Sequence, residues 1–301
     1  MNTGFRSGYV AVFGRPNVGK STLINRLLGQ KLLITSPKPQ TTRHRILGIK
    51  TTASAQFLYL DTPGLVFGGK GALAQHMDRA AAQGLEEADC LVMVAAVPRL
   101  QDADLAALRF AVDHLRGRPL LLALNKVDRL ADKEVLLPLL KELGAMGVFA
   151  EIVPLSARAG ANVDALEAAI ARYLPVRDPL FPEDQLSDRG DRFIIGEFIR
   201  EQVFRRFAKE IPYVTTVDID SYRSERGLIR IEASIYVEKE GQKAILVGHG
   251  GAALKAIGSA ARREIERHLG RKVYLGLWVK VRGGWSDDAR ALRSLGYGED
   301  T

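Results

Sequence analysis

Cysteine is almost absent from this chain, because its 301 residues contain only Cys90. A lone thiol excludes an internal disulfide framework and is typical of proteins from reducing, cytoplasmic surroundings. Cys90 opens the apolar run 90–96, which predicts a buried strand. We therefore expect a structural thiol here and not a nucleophile.

Long apolar runs are missing as well. No stretch reaches the roughly 18–20 apolar residues that a membrane span needs, and residues 1–8 lack the apolar core of a signal peptide. We expect a cytoplasmic, monomeric protein without a transmembrane segment. A peripheral contact with the inner face of the cell membrane stays open on these grounds.

Acidic residues are in deficit, with 35 against 43 basic ones and a net charge of +8. The excess is uneven, because residues 243–293 carry 11 basic and 4 acidic side chains, whereas 181–242 carry 10 and 13. A basic block of this kind indicates a polyanionic partner such as RNA. An ordinary solvated helix face explains the charge alone equally well.

The first 175 residues alternate short apolar runs with helical patterns, which predicts an α/β fold on a largely parallel sheet. The predicted strands are 9–13, 45–49, 57–60, 90–96, 119–124 and 152–154. The predicted helices are 21–28, 73–86, 103–115, 133–143 and 163–173, with glycines at 29, 117 and 144 as their ends.

A proline-bearing, acidic segment at 174–190 breaks this rhythm. We place a linker at 179–190, between a first domain at 1–178 and a smaller α+β domain at 191–301. The second domain is predicted as helix 192–207, strands 213–222 and 228–237, helix 252–269, strand 272–281 and a C-terminal helix 287–295.

The pattern Gly14-x-x-x-x-Gly19-Lys20-Ser21 follows a predicted strand and opens a helix, the context in which it forms a phosphate-binding loop. Glycines let successive N–H groups point at phosphate oxygens, and the helix start adds its own N–H groups. Lys20 reaches the β- and γ-phosphates, and the Ser21 hydroxyl can hold Mg²⁺. The predicted contacts are Gly14, Arg15, Pro16, Asn17, Val18, Gly19, Lys20, Ser21 and Thr22.

The choice of base rests on Asn125-Lys126-Val127-Asp128, directly after the apolar run 120–124. The Asp128 carboxylate can accept hydrogen bonds from the ring N–H and the exocyclic amine of guanine. Adenine lacks that donor pair, so ATP would leave the carboxylate unpaired. This four-residue motif is common by chance, but after a phosphate-binding loop and at the end of a strand it indicates guanine binding.

Three shorter motifs complete the predicted nucleotide site. Asp61-Thr62-Pro63-Gly64 follows strand 57–60, where Asp61 would hold Mg²⁺ and the Gly64 N–H would sense the γ-phosphate. Thr42 is the candidate for the second hydroxyl ligand, with Thr41 and then Thr35 as alternatives. Ser156, Ala157 and Arg158 can buttress the guanine with backbone N–H groups.

In this order the motifs resemble the translation-factor-related, Ras-like GTPases over residues 8–173. The resemblance implies GTP hydrolysis to GDP with Mg²⁺, Lys20, Thr42 and Gly64 as catalytic groups, and switch segments at 30–45 and 61–80. Leu65 stands where those enzymes place a water-orienting glutamine, so we expect slow intrinsic turnover. In related GTPases an asparagine at the position of Asn17 helps to bind K⁺, which makes K⁺ a further candidate cofactor.

The second half resembles a KH domain of the type II topology. Gly248-His249-Gly250-Gly251 opens a basic helix with Lys255 and Arg262, where a nucleic-acid backbone can approach closely. A tight turn between two helices is the alternative interpretation of the glycines. Trp285 is equally compatible with a core position and with stacking on a base.

Both halves together, with Gln40-Thr41-Thr42-Arg43-His44-Arg45 in the first switch, resemble the Era family over nearly the whole chain. The resemblance implies binding to the 3′ end of 16S ribosomal RNA and a role in assembly of the small ribosomal subunit. The alternatives are a GTPase whose second domain binds protein, a non-catalytic RNA chaperone with a structural nucleotide site and, more distantly, a P-loop kinase.

Overall fold

The computed structural model describes residues 4–62, 72–225 and 227–292. The chain forms two compact units. Within the described residues the first unit comprises 4–33, 42–62 and 77–188, and the second comprises 34–41, 72–76 and the residues from 189 onward.

The first unit is built on a six-stranded sheet with the strand order β2-β3-β1-β4-β5-β6. Its strands are β1 (Arg6–Phe13), β2 (Ile46–Thr51), β3 (Ala55–Asp61), β4 (Cys90–Ala96), β5 (Leu120–Asn125) and β6 (Glu151–Pro154). All neighbours pair in parallel except the edge strand β2, which runs antiparallel to β3. The carboxyl ends of β1, β3, β4 and β5 therefore meet at one edge, where ligands of such sheets bind.

Among the described residues, the helices that accompany this sheet are α1 (Lys20–Leu28), α2 (Ala72–Glu87), α3 (Asp102–Asp113), the short 3₁₀ turn Val127–Arg129, α4 (Leu136–Ala145) and α5 (Val163–Tyr173). Strands β3 and β4 are buried along their whole length. Such strands read as continuous apolar runs and not as alternating ones, which is why the sequence pattern predicted them.

The acidic segment before the second unit is bonded to the first. Leu180 and Phe181 donate their N–H groups to Gln56 Oε1, at 2.7 and 3.0 Å. Farther along, the Ile49 N–H donates to Leu186 O at 2.9 Å and the Ser187 hydroxyl donates to Leu47 O at 2.7 Å. The stretch predicted as a linker thus follows the edge strand β2 until Asp188.

The second unit packs helices on one face of a three-stranded sheet with the order β7-β8-β9. Strands β7 and β8 are antiparallel, and β8 and β9 are parallel. The elements are α6 (Asp191–Arg206), β7 (Thr216–Glu225), β8 (Leu228–Val237), α7 (Glu240–Val247), the 3₁₀ turn His249–Gly251, α8 (Ala252–Leu269), β9 (Lys272–Val281) and α9 (Ala289–Leu292). Alternate residues of β8, from Ile229 to Val237, form its core.

Several predicted boundaries differ from the structure by two or three residues, as β1 begins at Arg6 and not at residue 9, β7 covers Thr216–Glu225 and not 213–222, and α3 ends at Asp113 and not at residue 115. Helix α4 begins at Leu136 and not at residue 133, because 133–135 form only a turn. Gly144 lies inside that helix, and Gly147 takes the left-handed conformation (φ 66°) beyond its end. The described part of the C-terminal helix covers 289–292, and residues 293–295 of the prediction lie outside the described residues.

No helix within 4–62, 72–225 and 227–292 is by itself both long and apolar enough to cross a membrane. One pair of helices, Glu240–Val247 and His249–Leu269, meets the length and composition criteria only when taken together across its 45° bend.

Candidate functional site

The loop between β1 and α1 needs glycine at both ends. Gly14 has φ 143°, and a Cβ there would lie 2.3 Å from the carbonyl oxygen of Val94. Gly19 has φ 107°, and its Cβ would lie 2.5 Å from Asn125 Nδ2. Any side chain would therefore push the loop away from β4 and β5, which is the physical reason for both glycines of the motif.

Three distant side chains fix the loop backbone. Arg15 Nε donates to the buried Asp104 Oδ2 at 2.9 Å, Asn125 Nδ2 donates to Val18 O at 2.8 Å, and Lys126 Nζ donates to Asn17 O at 2.5 Å. Asp104 is a member of the site that the sequence analysis missed. It lies 89 residues from Arg15, and no motif marks it.

Lys20 is folded over the phosphate loop. Its Nζ donates to Gly14 O at 3.0 Å and to Arg15 O at 3.1 Å. Burial lowers the pKa of Lys20 from 10.5 to about 8, against the opposing attraction of Asp61. A lysine held in this way is positioned to exchange two carbonyl acceptors for phosphate oxygens.

Two hydroxyls and one carboxylate converge beside Lys20. Ser21 Oγ donates to Asp61 Oδ2 at 2.9 Å, Thr42 Oγ1 donates to the same oxygen at 3.1 Å, and the two hydroxyl oxygens are 3.2 Å apart. This all-oxygen donor set fits Mg²⁺, which prefers hard oxygen ligands. Thr41 Oγ1 instead donates to Lys38 O, and the Thr35 N–H donates to Glu201, so neither alternative joins the cluster.

Asp128 lies at the other end of the site. Its Oδ1 accepts a hydrogen bond from the Ser156 hydroxyl at 2.6 Å, and this bond lowers the pKa of Asp128 below 3.8. Ser156 in turn accepts from the Ala159 N–H at 3.0 Å. The carboxylate is therefore ionised at neutral pH and held at the end of β5, as an acceptor for the guanine edge requires.

Asn125 links the loops instead of pointing outward. Besides its bond to Val18, its Oδ1 accepts from the N–H groups of Lys126 at 2.7 Å and Ala157 at 2.9 Å. Arg158 is held through its carbonyl oxygen, which accepts from Arg26 NH2 at 2.7 Å. The Asn125 amide thus joins the phosphate loop to the two segments that flank Asp128.

The remaining predicted nucleotide contacts divide into three groups. Thr62 is buried and donates its hydroxyl to Val12 O at 3.0 Å, so its side chain braces β1. Pro16 and Thr22 are half-buried at the loop and at the first turn of α1. Pro63 and Gly64 lie outside the described residues, as does Leu65, which replaces the water-orienting glutamine.

In the second unit, three glycines of the turn 248–251 adopt positive φ. Gly248 combines φ 71° with ψ 173°, a region open only to glycine, and its Cβ would lie 2.7 Å from Ala253 Cβ. Gly250 and Gly251 have no neighbour within 4 Å of an added Cβ. Together with the exposed His249, they leave a bare backbone surface that another chain can approach closely.

A groove of about 580 Å³ begins at this turn and runs between α8 and β9. Lys255 and Arg262, one and three turns into α8 respectively, are exposed along its rim. Leu254 and Leu277 contribute apolar walls. The groove therefore combines a closely approachable backbone, two cations and an apolar floor, which suits single-stranded nucleic acid.

The two tryptophans of the chain lie in opposite environments. Trp285 is fully buried and donates its Nε1–H to Val214 O at 3.0 Å, so it is a core residue and does not stack on a base. Trp278 on β9 is 47% exposed, as is Tyr274 at 46%. The sequence analysis does not single out Trp278 or Tyr274, although each lies two positions from Gly276 and therefore on the same strand face.

Comparison with known proteins supports the interpretation of both the first and the second domain. Residues 9–126 match the family described as 50S ribosome-binding GTPases, and residues 210–286 match the KH domain family. Among curated relatives, GTPase Era of Pseudomonas entomophila is 49% identical over 298 residues, covering 99% of each protein. GTPase Era of Pseudomonas savastanoi is 50% identical over 297 residues, covering 99% of this chain and 98% of the relative.

Two solved structures agree along nearly the whole chain. One is Era in complex with MgGDPNP and nucleotides 1506–1542 of 16S ribosomal RNA, with a TM-score of 0.92, 39% identity and coverage of 98% and 99%. The other is a variant of Aquifex aeolicus Era bound to GDP and AlF4⁻, with a TM-score of 0.92, 38% identity and coverage of 98% and 100%. With the glycine-bounded loop, the Mg²⁺-competent oxygen cluster and the groove at 248–251, these similarities establish that the chain belongs to the Era family of GTPases.

Proposed function

We propose that this chain is a GTP-hydrolysing switch that binds guanine nucleotide and Mg²⁺ in its first unit and ribosomal RNA in its second. The observation that carries the enzymatic part is the convergence of Ser21, Thr42 and Asp61 beside the buried Lys20. A metal held there would neutralise phosphate charge. Water then attacks the γ-phosphorus, the bond to the β–γ bridging oxygen breaks, and GDP and phosphate leave.

The residues of the first unit divide the work. The backbone of 14–19 and the Lys20 ammonium hold the phosphates, and Asp128 accepts from guanine while Ser156 orients it. Thr42, and Gly64 outside the described residues, position the γ-phosphate side of the site. Leu65 offers no hydrogen bond to water, so we expect slow turnover unless another group orients the nucleophile.

A bound monovalent cation near the β- and γ-phosphates is the first candidate for speeding this slow reaction, because its charge can stand in for an arginine finger. Asn17 is exposed on the phosphate loop with φ 65°, held there through its carbonyl oxygen by Lys126. We predict faster GTP hydrolysis in K⁺ than in Na⁺ at matched ionic strength, and loss of this difference in Asn17→Ala. Steady-state phosphate release measures both, and equal wild-type rates in the two salts would contradict the prediction.

For the second unit, we propose that the groove at 248–251 binds the 3′ end of 16S ribosomal RNA and that the protein assists small-subunit assembly. The solved Era complex with nucleotides 1506–1542 and the placement of Lys255 and Arg262 support this. Gly250→Asp with Lys255→Glu should abolish binding of an RNA of that sequence in a filter-binding assay. Lys141→Glu, which makes the same charge reversal as Lys255→Glu at an exposed position of α4, is the control.

Two rival functions give different results. RNA binding that survives the double substitution would favour a second domain that binds protein. Undetectable GTP turnover with and without RNA and ribosomal subunits would favour an RNA chaperone with a structural nucleotide site. Crosslinking to RNA in the GTP-analogue and GDP states tests whether the nucleotide controls RNA binding.

We also propose the division into 1–178, 179–190 and 191–301, a monomeric state and a cytoplasmic location, with a peripheral membrane contact left to experiment. Sedimentation velocity of the full chain tests the monomer. Cosedimentation with anionic vesicles, with and without RNA competitor, tests the membrane contact.

A further inference from the structure

The sheet of the second unit carries aromatic side chains on the face opposite its core. Along β9, Val273 points into the core, whereas Tyr274 and Trp278 are about half exposed. Since residues two apart share a strand face, Tyr274, Gly276 and Trp278 line up on one side. Their partners on β8 are Arg230, Glu232 and Ser234.

The two rings form one continuous surface because the residue between them is glycine. A Cβ on Gly276 would lie 2.9 Å from Cη2 and 3.1 Å from Cζ3 of Trp278, and 3.7 Å from Cε1 of Tyr274. The indole therefore leans along the strand, over Gly276 and toward the phenol. We call Tyr274, Gly276 and Trp278 the aromatic platform.

Cations flank the platform at both ends. The Arg230 guanidinium lies 4.4 Å from the centroid of Tyr274, and Lys280 Nζ lies 5.9 Å from the centroid of Tyr236. Lys280 is also 3.7 Å from Asp220, and the acidic residues of this face, Asp218, Asp220 and Glu232, belong to β7 and β8. A polyanion would therefore lie along the β9 edge, where Tyr274, Trp278 and Lys280 are and where Arg230 reaches Tyr274 from β8.

The platform is continuous with the groove at 248–251. Strand β9 is the edge of the sheet, and its residues Val273, Leu275 and Leu277 line the groove from one side. Tyr274 belongs to both surfaces, because it lines the groove and bears the outermost ring of the platform. A nucleic-acid strand that leaves the groove over this edge therefore reaches the platform next.

We propose that the aromatic platform stacks unpaired RNA bases that continue beyond the groove, and so extends the RNA site of this protein. This inference rests on the RNA binding proposed above. Every base has a flat π-face, so stacking on Trp278 and Tyr274 adds affinity with little sequence preference, while Arg230 and Lys280 attract the phosphates. Exposed rings beside cations and next to an RNA groove favour RNA over a protein partner.

Two RNAs separate the platform from the groove. A short oligonucleotide of about four nucleotides fills a KH groove only, whereas a longer single strand that adds the neighbouring nucleotides also reaches the platform. Trp278→Ala should weaken binding of the longer RNA about tenfold and leave the short one unchanged. Trp278→Phe keeps a ring and should retain most of the affinity.

A second variant displaces the indole without removing it. In Gly276→Val the new side chain would occupy the space under the Trp278 ring, so the same selective loss is expected. Fluorescence gives an independent readout, because the other tryptophan, Trp285, is buried. The longer RNA should quench the emission of the wild type but not of Trp278→Phe.

The outcomes are distinct. If Trp278→Ala binds both RNAs as the wild type does, the platform does not bind RNA, and the exposed rings are left for a protein partner. If the wild type binds neither RNA, the proposed RNA function fails together with the inference. Circular dichroism melting of each variant confirms that a loss of binding does not reflect unfolding.

Discussion

We propose that the choice of nucleotide depends on Asp128. Its carboxylate accepts hydrogen bonds from the Ser156 hydroxyl and from its own backbone N–H and is ionised at neutral pH, which leaves further acceptor sites for a ligand. An ionised carboxylate matches two adjacent donors, and guanine presents two on one edge. On this proposal the preference for guanine is set by a pair of charge-assisted bonds and not by the shape of the pocket.

Asp128→Asn should exchange this preference, because an amide can donate to the 2-oxo group of xanthine but cannot accept twice from guanine. We expect GDP affinity to fall by about 3 kcal/mol, more than a hundredfold, and XDP affinity to rise. Isothermal titration calorimetry with both nucleotides measures the change. Asp132→Asn, at an exposed aspartate that caps Glu134, serves as the control and should leave both affinities unaltered.

We expect Lys20 to make nucleotide affinity fall at alkaline pH. In the free protein burial holds its pKa at about 8, whereas bound phosphates favour the ammonium and raise that pKa. Below pH 8 the group is protonated in both states, so affinity is constant. Above pH 8 binding must take up a proton, and GDP affinity should fall by up to about tenfold per pH unit.

Calorimetry at pH 7 and pH 9, in buffers of different ionisation enthalpy, reports this proton uptake directly. Near-zero uptake at pH 7 and uptake approaching one proton at pH 9 are expected. Equal affinity at the two pH values would contradict the perturbed lysine. Lys20→Arg is the matched variant, since arginine keeps its charge at both pH values and should lose the dependence.

At the scale of the elements, the turn between α7 and α8 contains two glycines that should differ clearly in their contribution to stability. Gly248 is both in a glycine-only conformation and in close approach to Ala253, whereas Gly250 has a left-handed φ and open space. Gly248→Ala should therefore cost about 2–3 kcal/mol of unfolding free energy, and Gly250→Ala about 1 kcal/mol. Urea denaturation of the two full-length variants measures this, and equal losses would contradict it.

The elements whose ends are marked locally were the ones that sequence could predict. Strand 90–96, helix 163–173, strand 228–237 and helix 252–269 have these bounds in the structure, because apolar runs or periodic patterns end there at polar, proline or glycine residues. The sequence pattern starts helix α4 three residues too early, because residues 133–135 have a helical composition but form only a turn. The sequence pattern also does not give the direction of the edge strand β2. That direction depends on how β2 pairs with β3 and not on the residues of β2 alone.

The candidate site also contains residues that the sequence could predict and residues that it could not. The motif residues carry their own spacing, so Ser21, Thr42 and Asp61 were found one by one, and the structure brings them together. The contacts that hold these motif residues in place join distant parts of the chain, and no local sequence pattern marks them. Asp104 under Arg15, Asn125 under Val18 and Trp278 over Gly276 each depend on contacts that only folding creates.

For the whole molecule, Cys90 provides a single internal reporter of unfolding. The thiol is buried in β4, and burial raises its pKa to about 12, with Asp89 as a smaller contributor. At pH 8 it is protonated and shielded in the native state, so a thiol reagent should react only after unfolding of the sheet. Labelling should be negligible in buffer and rise along the urea transition, and rapid labelling of the native chain would contradict this assignment.

Asn125 has a consequence for how affinity accumulates in the first unit. One amide is bonded to the loop that receives the phosphates and to both segments around Asp128. Ordering either end therefore lowers the entropy that ordering the other must lose, which is positive thermodynamic coupling between two fragments of one ligand. Guanosine and pyrophosphate, offered as separate molecules, should each bind more tightly in the presence of the other, and Asn125→Ala should make them independent.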